Sequence, residues 1–431
     1  MLKIAGCGDI FISDRIPTDD YSGYRKLREF LVTHRICFGN LETTIHNNEG
    51  YPSLFPGGGY AMASPGVLRD IHDFGFRILS IANNHAMDYS QKGLEATLRH
   101  LNETDLKYAG AGMNLTEASR PAYVETPEGR TAIIAFTSSF HDSDAAGNQS
   151  VDVPGRPGVN PLRHTELLQV TPDLMEAVRQ IAEKTGVNEY RELGEKNGYV
   201  ISDQSLKLRD LRFVEGPETK RITHPLKTDM ERMCLLVREA ATQADCVIVS
   251  LHGHQMRGSD NYPEEFIVEF CRKAVESGAN IVFCHGAHVI RGIELYQGGA
   301  IFYGLGNFIM KNELQQRVPA DFYEKYDVDS GLYGLVGIPM DKRSINGTRG
   351  LGADPKVWQS FLPSIGFNCE KRIIEQIDLI PLTLHFELPR SRRGWPEITE
   401  ETEVLRELQR ISEVYGTTIE IEGSEGKVCI R

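Results

Sequence analysis

The chain has 431 residues and a formal charge of −13, with 47 Lys plus Arg against 60 Asp plus Glu. That length exceeds the usual single core, so one large domain with a cap, or two domains, is expected. The acidic balance, with no basic run to offset it, excludes a nucleic-acid partner, and no stretch approaches the roughly 20 apolar residues that span a bilayer.

The first part, to about residue 140, alternates short apolar strands with helical spacing over 21–33, 65–74 and 91–102, and a further strand falls at 131–137. Such alternation implies βαβ units with helices on both faces of a sheet. Residues 143–159 are rich in Gly, Pro, Ser and Asp, which marks a loop. A helix is predicted over 172–184, and 187–227 is charged and only weakly periodic. Regular alternation returns between 230 and 307. The predicted division is a core of 1–140 and 229–310, an inserted lid of 141–228, and a C-terminal extension of 311–431 packing on the core, with a helix near 401–414.

Eight cysteines, at 7, 37, 234, 246, 271, 284, 369 and 429, form no C-x-x-C pair, and Cys7, Cys37, Cys246 and Cys284 lie in or beside apolar strand candidates. That usage fits a reducing compartment. Met1–Ala5 enters the first strand directly, without the pattern of a signal peptide. A cytoplasmic protein without a membrane segment is expected, its oligomeric state open.

Metal-capable side chains recur where apolar runs stop. Leu2–Ala5 leads to Asp9, Ile36–Phe38 to Asn40 and Glu42, and Ile78–Ile81 to Asn83, Asn84 and His85. Cys246–Leu251 leads to His252 and His254, and Ile281–Phe283 to His285 and His288. Strands ending this way suggest ligands converging at one sheet edge, and the mixture of oxygen and imidazole donors suits a divalent metal such as Zn, Mn or Fe. Taken singly each is ambiguous: Asp9 serves equally as a helix N-cap, Asn84-His85 as turn chemistry, and His254 as ligand or as neighbour to the ligands.

The strings Gly8-Asp9, Gly39-Asn40-Leu41-Glu42, Ala82-Asn83-Asn84-His85, Ser250-Leu251-His252, His285-Gly286-Ala287-His288-Val289 and Tyr303-Gly304-Leu305-Gly306-Asn307-Phe308 occur in that order. With Arg156–Leu162 they resemble the poly-γ-glutamate capsule biosynthesis (CapA-like) family, itself similar to the calcineurin-like metallophosphoesterases. The resemblance, over residues 1–310, implies a four-layer α/β/β/α sandwich with an inserted cap and one or two divalent ions (Zn, Mn, Fe or Ca). It implies Asp9, Glu42, Asn84, His252, His285 and His288 as ligands, with Glu42 bridging two ions and His85 as general acid or charge stabiliser. The wider fold begins its pattern Asp-x-His, whereas Phe11 stands here, so one metal position is expected to be the weaker.

Arg156, Arg163 and His254 are candidate substrate contacts. A paired-donor clamp on a substrate carboxylate and surface arginines in a polar loop fit Arg156 and Arg163 equally. Asn307 is a candidate buttress behind the ligands. Three functions remain open. The first is a hydrolase of γ-glutamyl or other peptide-like material that uses metal-activated water. The second is a peptide epimerase with Asp9 and His288 as its acid–base pair, and the third a non-catalytic capsule-assembly protein. The expected partner is a peptide or small-molecule substrate.

Overall fold

The computed structural model describes residues 1–18, 21–203 and 205–430. Gln204, in the predicted insertion, and Arg431, at the end of the predicted extension, lie outside them. The first strand, Leu2–Phe11, is buried at every position but Lys3, as a central strand covered on both faces must be. It pairs in parallel with Ile36–Leu41, which pairs with Ile78–Ser80, which pairs with Lys107–Ala109. The crossovers are the helices Gly23–Leu31, Gly66–Phe74 and Ser90–Asn102. Their apolar faces, among them Leu27, Leu31, Leu68, Ile71, Leu94 and Leu98, pack with Cys7, Cys37 and Leu79 of that sheet.

A second sheet runs in the order Ile290–Tyr296, Gly299–Leu305, Ile281–His285, Cys246–His252, Gly129–Thr137, Ala122–Thr126. Its four inner strands are parallel and its two edges antiparallel. The inner faces of the two sheets meet: Ile4, Ile36 and Phe38 share one core with Ile133, Ile248 and Phe283. On its other face the second sheet is covered by the helices Lys227–Gln243 and Glu265–Glu276, through Met233, Val237, Phe266 and Phe270. The chain is thus a mixed α/β protein with helices outside two facing sheets.

The C-terminal part does more than pack on this core. Gln359–Asn368 pairs antiparallel with Leu2–Phe11, and Ile373–Thr383, Glu425–Val428 and Ile419–Glu422 follow in turn. One edge of the first sheet is therefore built from residues beyond the predicted core boundary at 310. The helix predicted near 401–414 is found at Glu403–Ser412. Within the insertion, helices Pro172–Thr185 and Glu189–Lys196 accompany a small sheet of Leu206–Leu208, Leu211–Glu215, His164–Val170 and Lys220–Pro225. It is fastened to the helix Glu265–Glu276 region, where His164 stacks on Phe266 and Arg221 pairs with Glu264. Among the described residues, no helix is long and apolar enough to cross a membrane.

Candidate metal centre

Asp9 owes its direction to an irregularity in its strand. The register of Leu2–Phe11 against Ile36–Leu41 shifts between Gly6 and Asp9, and such a shift re-aims a side chain at a strand end. One carboxylate oxygen of Asp9 accepts from Nδ2 of Asn40 at 2.8 Å, the other from the backbone N–H of Gly286 at 3.0 Å. Gly286 has φ +92°, and a Cβ there would lie 2.8 Å from ring atoms of both His252 and His254. Glycine alone lets this turn reach Asp9 with two imidazoles against it.

Glu42 is fully buried, and among the described residues neither of its oxygens has a hydrogen-bond partner. Nε2 of His252 stands 3.6 Å and Nε2 of His288 3.7 Å from its Oε1. Nδ1 of the same rings stands 3.9 and 3.7 Å from the oxygens of Asp9. These separations are too long for hydrogen bonds, but they suit donors that each lie about 2.0–2.2 Å from a shared ion. Burial foremost, then the charges of Asp9 and Asp88, push the Glu42 carboxyl well above its ordinary range. A buried carboxylate so placed is costly unless a cation joins it.

The donor set fits a divalent ion. Asp9, Glu42 and His252 form one group whose ligand atoms lie within 4.8 Å of one another, and Glu42, His254 and His288 form another. Glu42 belongs to both, as a bridging carboxylate would. His252 is held well below the ordinary imidazole value by burial and by the other histidines. His254 falls to about 3 by burial, with His288, His85 and Arg291 adding to it. Neutral imidazole is the form that binds metal.

Hydrogen bonds select the tautomers. His288 Nδ1 donates to Oδ1 of Asn307 at 2.8 Å, which leaves its Nε2 lone pair open toward Glu42. Nδ1 of His252 faces Asn40 Nδ2 at 3.1 Å, and its Nε2 faces Nε2 of His254 at 3.2 Å, a pair of ring nitrogens that a cation would join in place of a proton. Asn40 is oriented in turn by Asn83, whose Nδ2 donates to Asn40 Oδ1 and to the carbonyl of Leu41. The Asn40 amide therefore sits between Asp9 and His252.

His285 comes to the same place with both ring nitrogens occupied: Nε2 donates to the carbonyl of Cys7 at 3.1 Å, and Nδ1 faces Ser250 Oγ at 3.4 Å. It abuts the cluster but offers it no open donor. Asn84 turns its Nδ2 to the carbonyl of Gly57, while its Oδ1 is buried without a partner. His85 donates from Nδ1 to Asp88 Oδ2 at 2.7 Å, and Asp88 is held by the N–H groups of Gly57 and Ala61. Phe11 meets the His85 ring edge-on, the centroids 4.9 Å apart.

Beside the cluster lies a cavity lined by Phe11, Asn84, His85, His254 and His288, by the glycine loop 57–60, and by residues of the 312–351 segment. No described residue of 141–228 is among its lining. Arg156 Nε donates to the carbonyl of Ala145 and Arg163 makes a two-pronged pair with Asp229; both are bound within or beside their own segment, and neither lines the cavity. Sequence reasoning left Asp88 without a role, although its spacing of three from His85 was a signal. Asn312, Gln315 and Arg343 carry no motif and were missed.

The chain matches the model of the family described as bacterial capsule synthesis protein PGA_cap over residues 3–312, and it belongs to that family. An uncharacterized protein y4sH of Sinorhizobium fredii is 29% identical over 98% of this chain and 91% of its own length. Capsule biosynthesis protein CapA of Bacillus anthracis is 24% identical over 64% of this chain and 50% of its own. A probable polyglutamine synthesis accessory protein of Mycobacterium tuberculosis is 24% identical over 64% and 55%.

Proposed function

We propose that this protein is a metal-dependent hydrolase of the four-layer metallophosphoesterase type that cleaves a peptide-like substrate, γ-glutamyl or related. The observation that carries the reading is the Glu42 carboxylate, buried, unpartnered and ringed by His252, His254 and His288. Helices outside two facing sheets support the fold assignment, and the capsule and polyglutamine relatives support the substrate class.

Asp9, Glu42, His252, His254 and His288 would hold the metal, with Asn84 Oδ1 a further oxygen donor beside them. A divalent ion supplies Lewis acidity there, activating water and polarising a carbonyl. The rest falls to the chain's own groups. Nε2 of His85, whose Nδ1–H is anchored to Asp88, takes a proton from the water as the water oxygen bonds to the acyl carbon, and passes that proton to the leaving amine as the C–N bond breaks. Asn40 between Asp9 and His252 makes that side the weaker of the two positions, in line with Phe11 standing where the wider fold has an imidazole.

Incubation of the metal-loaded protein with γ-glutamyl and α-linked glutamyl peptides in labelled water tests this. Heavy oxygen in a new carboxylate is the expected result. Deuterium at Cα without cleavage would establish the epimerase instead, and tight binding with neither label would establish an assembly role.

A further inference from the structure

We propose that the cavity beside the metal cluster is a built recognition subsite for a substrate carboxylate, with Arg343 as its anchor and Gln315 and Asn312 as contacts to the adjoining amide. The inference rests on the hydrolase reading only for which bond is cut. The binding it describes stands separately.

Three buried polar atoms that line this cavity have no partner among the described residues: Asn84 Oδ1, Asn312 Oδ1 and Gln315 Nε2. Gln315 is 6% exposed, so its amide has little water to turn to, and a buried polar group left unpaired is costly. With Asn84 Oδ1 given to the metal side, the Asn312 acceptor and the Gln315 donor match the N–H and C=O of one peptide unit. Gly57, Gly58 and Gly59 line the same cavity beside Asn84 and Arg343, and nothing lies within 4 Å of a Cβ built on Gly58. A substrate backbone can therefore come close on that side.

Arg343 supplies the charge. It lines the cavity, and an added Cβ at Gly59 would stand 3.1 Å from its Nη1. Among the described residues it makes no hydrogen bond and no ion pair. Two acids of the same segment are already engaged: Asp341 by Arg390, and Glu313 by Arg393 with a two-pronged contact. In a chain of net charge −13, Arg343 is a guanidinium that neither of them neutralises. A guanidinium matches a carboxylate with two parallel hydrogen bonds, a geometry an ammonium does not copy. The segment that carries Arg343 is fixed in place, because Phe322, Tyr323, Val336 and Met340 pack on Tyr60 and Tyr89.

The test is calorimetric titration of the metal-loaded protein with γ-glutamyl-glutamate and with its fully amidated counterpart. The wild-type chain is expected to bind the acid at least about tenfold more tightly than the amide, the scale of one charge-assisted contact. Arg343→Gln should abolish that preference, Arg343→Lys should restore only part of it, and Gln315→Leu should weaken both ligands alike. Arg343 is exposed, so its variants should melt with the parent and keep its metal content. Equal binding of acid and amide by the wild type, no binding of either, or a preference that survives Arg343→Gln would each overturn the proposal. A preference that follows Arg343 in a protein that cleaves neither ligand would uphold the subsite while sinking the hydrolase.

Discussion

Asn307 decides which nitrogen of His288 is open. Its Oδ1 takes the Nδ1 proton of His288 at 2.8 Å, and its own Nδ2 is tied to the carbonyls of His288 and Val357, at 3.3 and 2.9 Å. The amide cannot turn without leaving those carbonyls, so the Nε2 lone pair stays toward Glu42. His288 itself has φ +57°, a strained conformation for a non-glycine residue that this bond helps to hold. Asn307→Leu should lower metal affinity by roughly 10–100-fold and cost about 1–3 kcal/mol through the carbonyls left unpaired. Asn307→Asp, which keeps the acceptor, should retain more affinity. Chelator competition and thermal melts measure both, and unchanged affinity in Asn307→Leu would remove Asn307 from the site's support.

Two histidines on the same strand ends should behave oppositely. His285 has both ring nitrogens engaged by the protein, so His285→Ala should lose about 1–3 kcal/mol of stability and keep its bound metal. His254, grouped with Glu42 and His288 as a set of possible ligands, should lose metal on replacement by Ala with little change in melting. Elemental analysis beside thermal melts separates them. The reverse pattern would make His285 a ligand.

Arg163 is expected to act on stability. Asp229 is fully buried and accepts from both Arg163 and Arg232, and these partners hold its carboxyl below the ordinary range against the effect of burial. Asp229→Ala, which leaves a largely buried Arg232 unpaired, should cost about 3–5 kcal/mol. Arg163→Ala, which leaves one of the two pairs, should cost less. KM should be unchanged in Arg163→Ala. A raised KM at unchanged melting temperature would return Arg163 to substrate binding.

The strand-end cluster was legible because parallel strands are buried on both faces, and a Glu or His closing such a run has few purposes. Asp9, Glu42, His252 and His288 were all marked this way and come together. His285 carried the same mark, yet its nitrogens are spent on Cys7 and Ser250, partners that no spacing rule reveals. The wall of the cavity was illegible for another reason. Arg343 and Gln315 sit in irregular chain, brought there by aromatic packing on Tyr60 and Tyr89, and packing of that kind leaves no period in the sequence. The insertion was expected to cover the ligands because it leaves and re-enters the second sheet beside them, but its sheet and helices are fastened to the Glu265–Glu276 flank. The strands at 359–428 were missed as part of the first sheet because Gln359–Asn368 carries Pro363 and Gly366 inside it, residues that read as turn rather than strand.

His46 should shape the acid limb of stability. Burial pushes it down from 6.5 to about 4, with Glu49 opposing and His100 assisting, and it is packed edge-on against Tyr89. The folded state keeps the ring neutral where the unfolded chain protonates it. Its contribution is thus fully present above the unfolded value and is lost as pH falls from about 6.5 toward 4. Each unit of displacement has a ceiling of about 1.4 kcal/mol, reduced by any solvent reaching the ring. Denaturant unfolding of metal-free protein at pH 7.5 and 4.5 should show a smaller fall for His46→Gln than for the parent. Equal falls would place the acid sensitivity elsewhere.

His85 offers the sharpest test of the chemistry. Its Nδ1 is committed to Asp88 at 2.7 Å, and Asp88 is clamped by the N–H groups of Gly57 and Ala61. The ring is therefore fixed in one tautomer with Nε2 free in the cavity, while the Phe11 ring packs against it. A group so held can take a proton from water at Nε2 and hand it to a departing amine, and contributes typically 10²–10⁴-fold. His85→Ala should lower kcat by about that factor on an alkyl amide while metal content stays at the parent level. On an activated anilide, whose leaving group needs less protonation, the loss should be much smaller. The two substrates assayed side by side make the readout a ratio, which a general loss of folding or of metal would leave unchanged. An equal loss on both would mean that His85 orients substrate or ligands and that the proton comes from elsewhere.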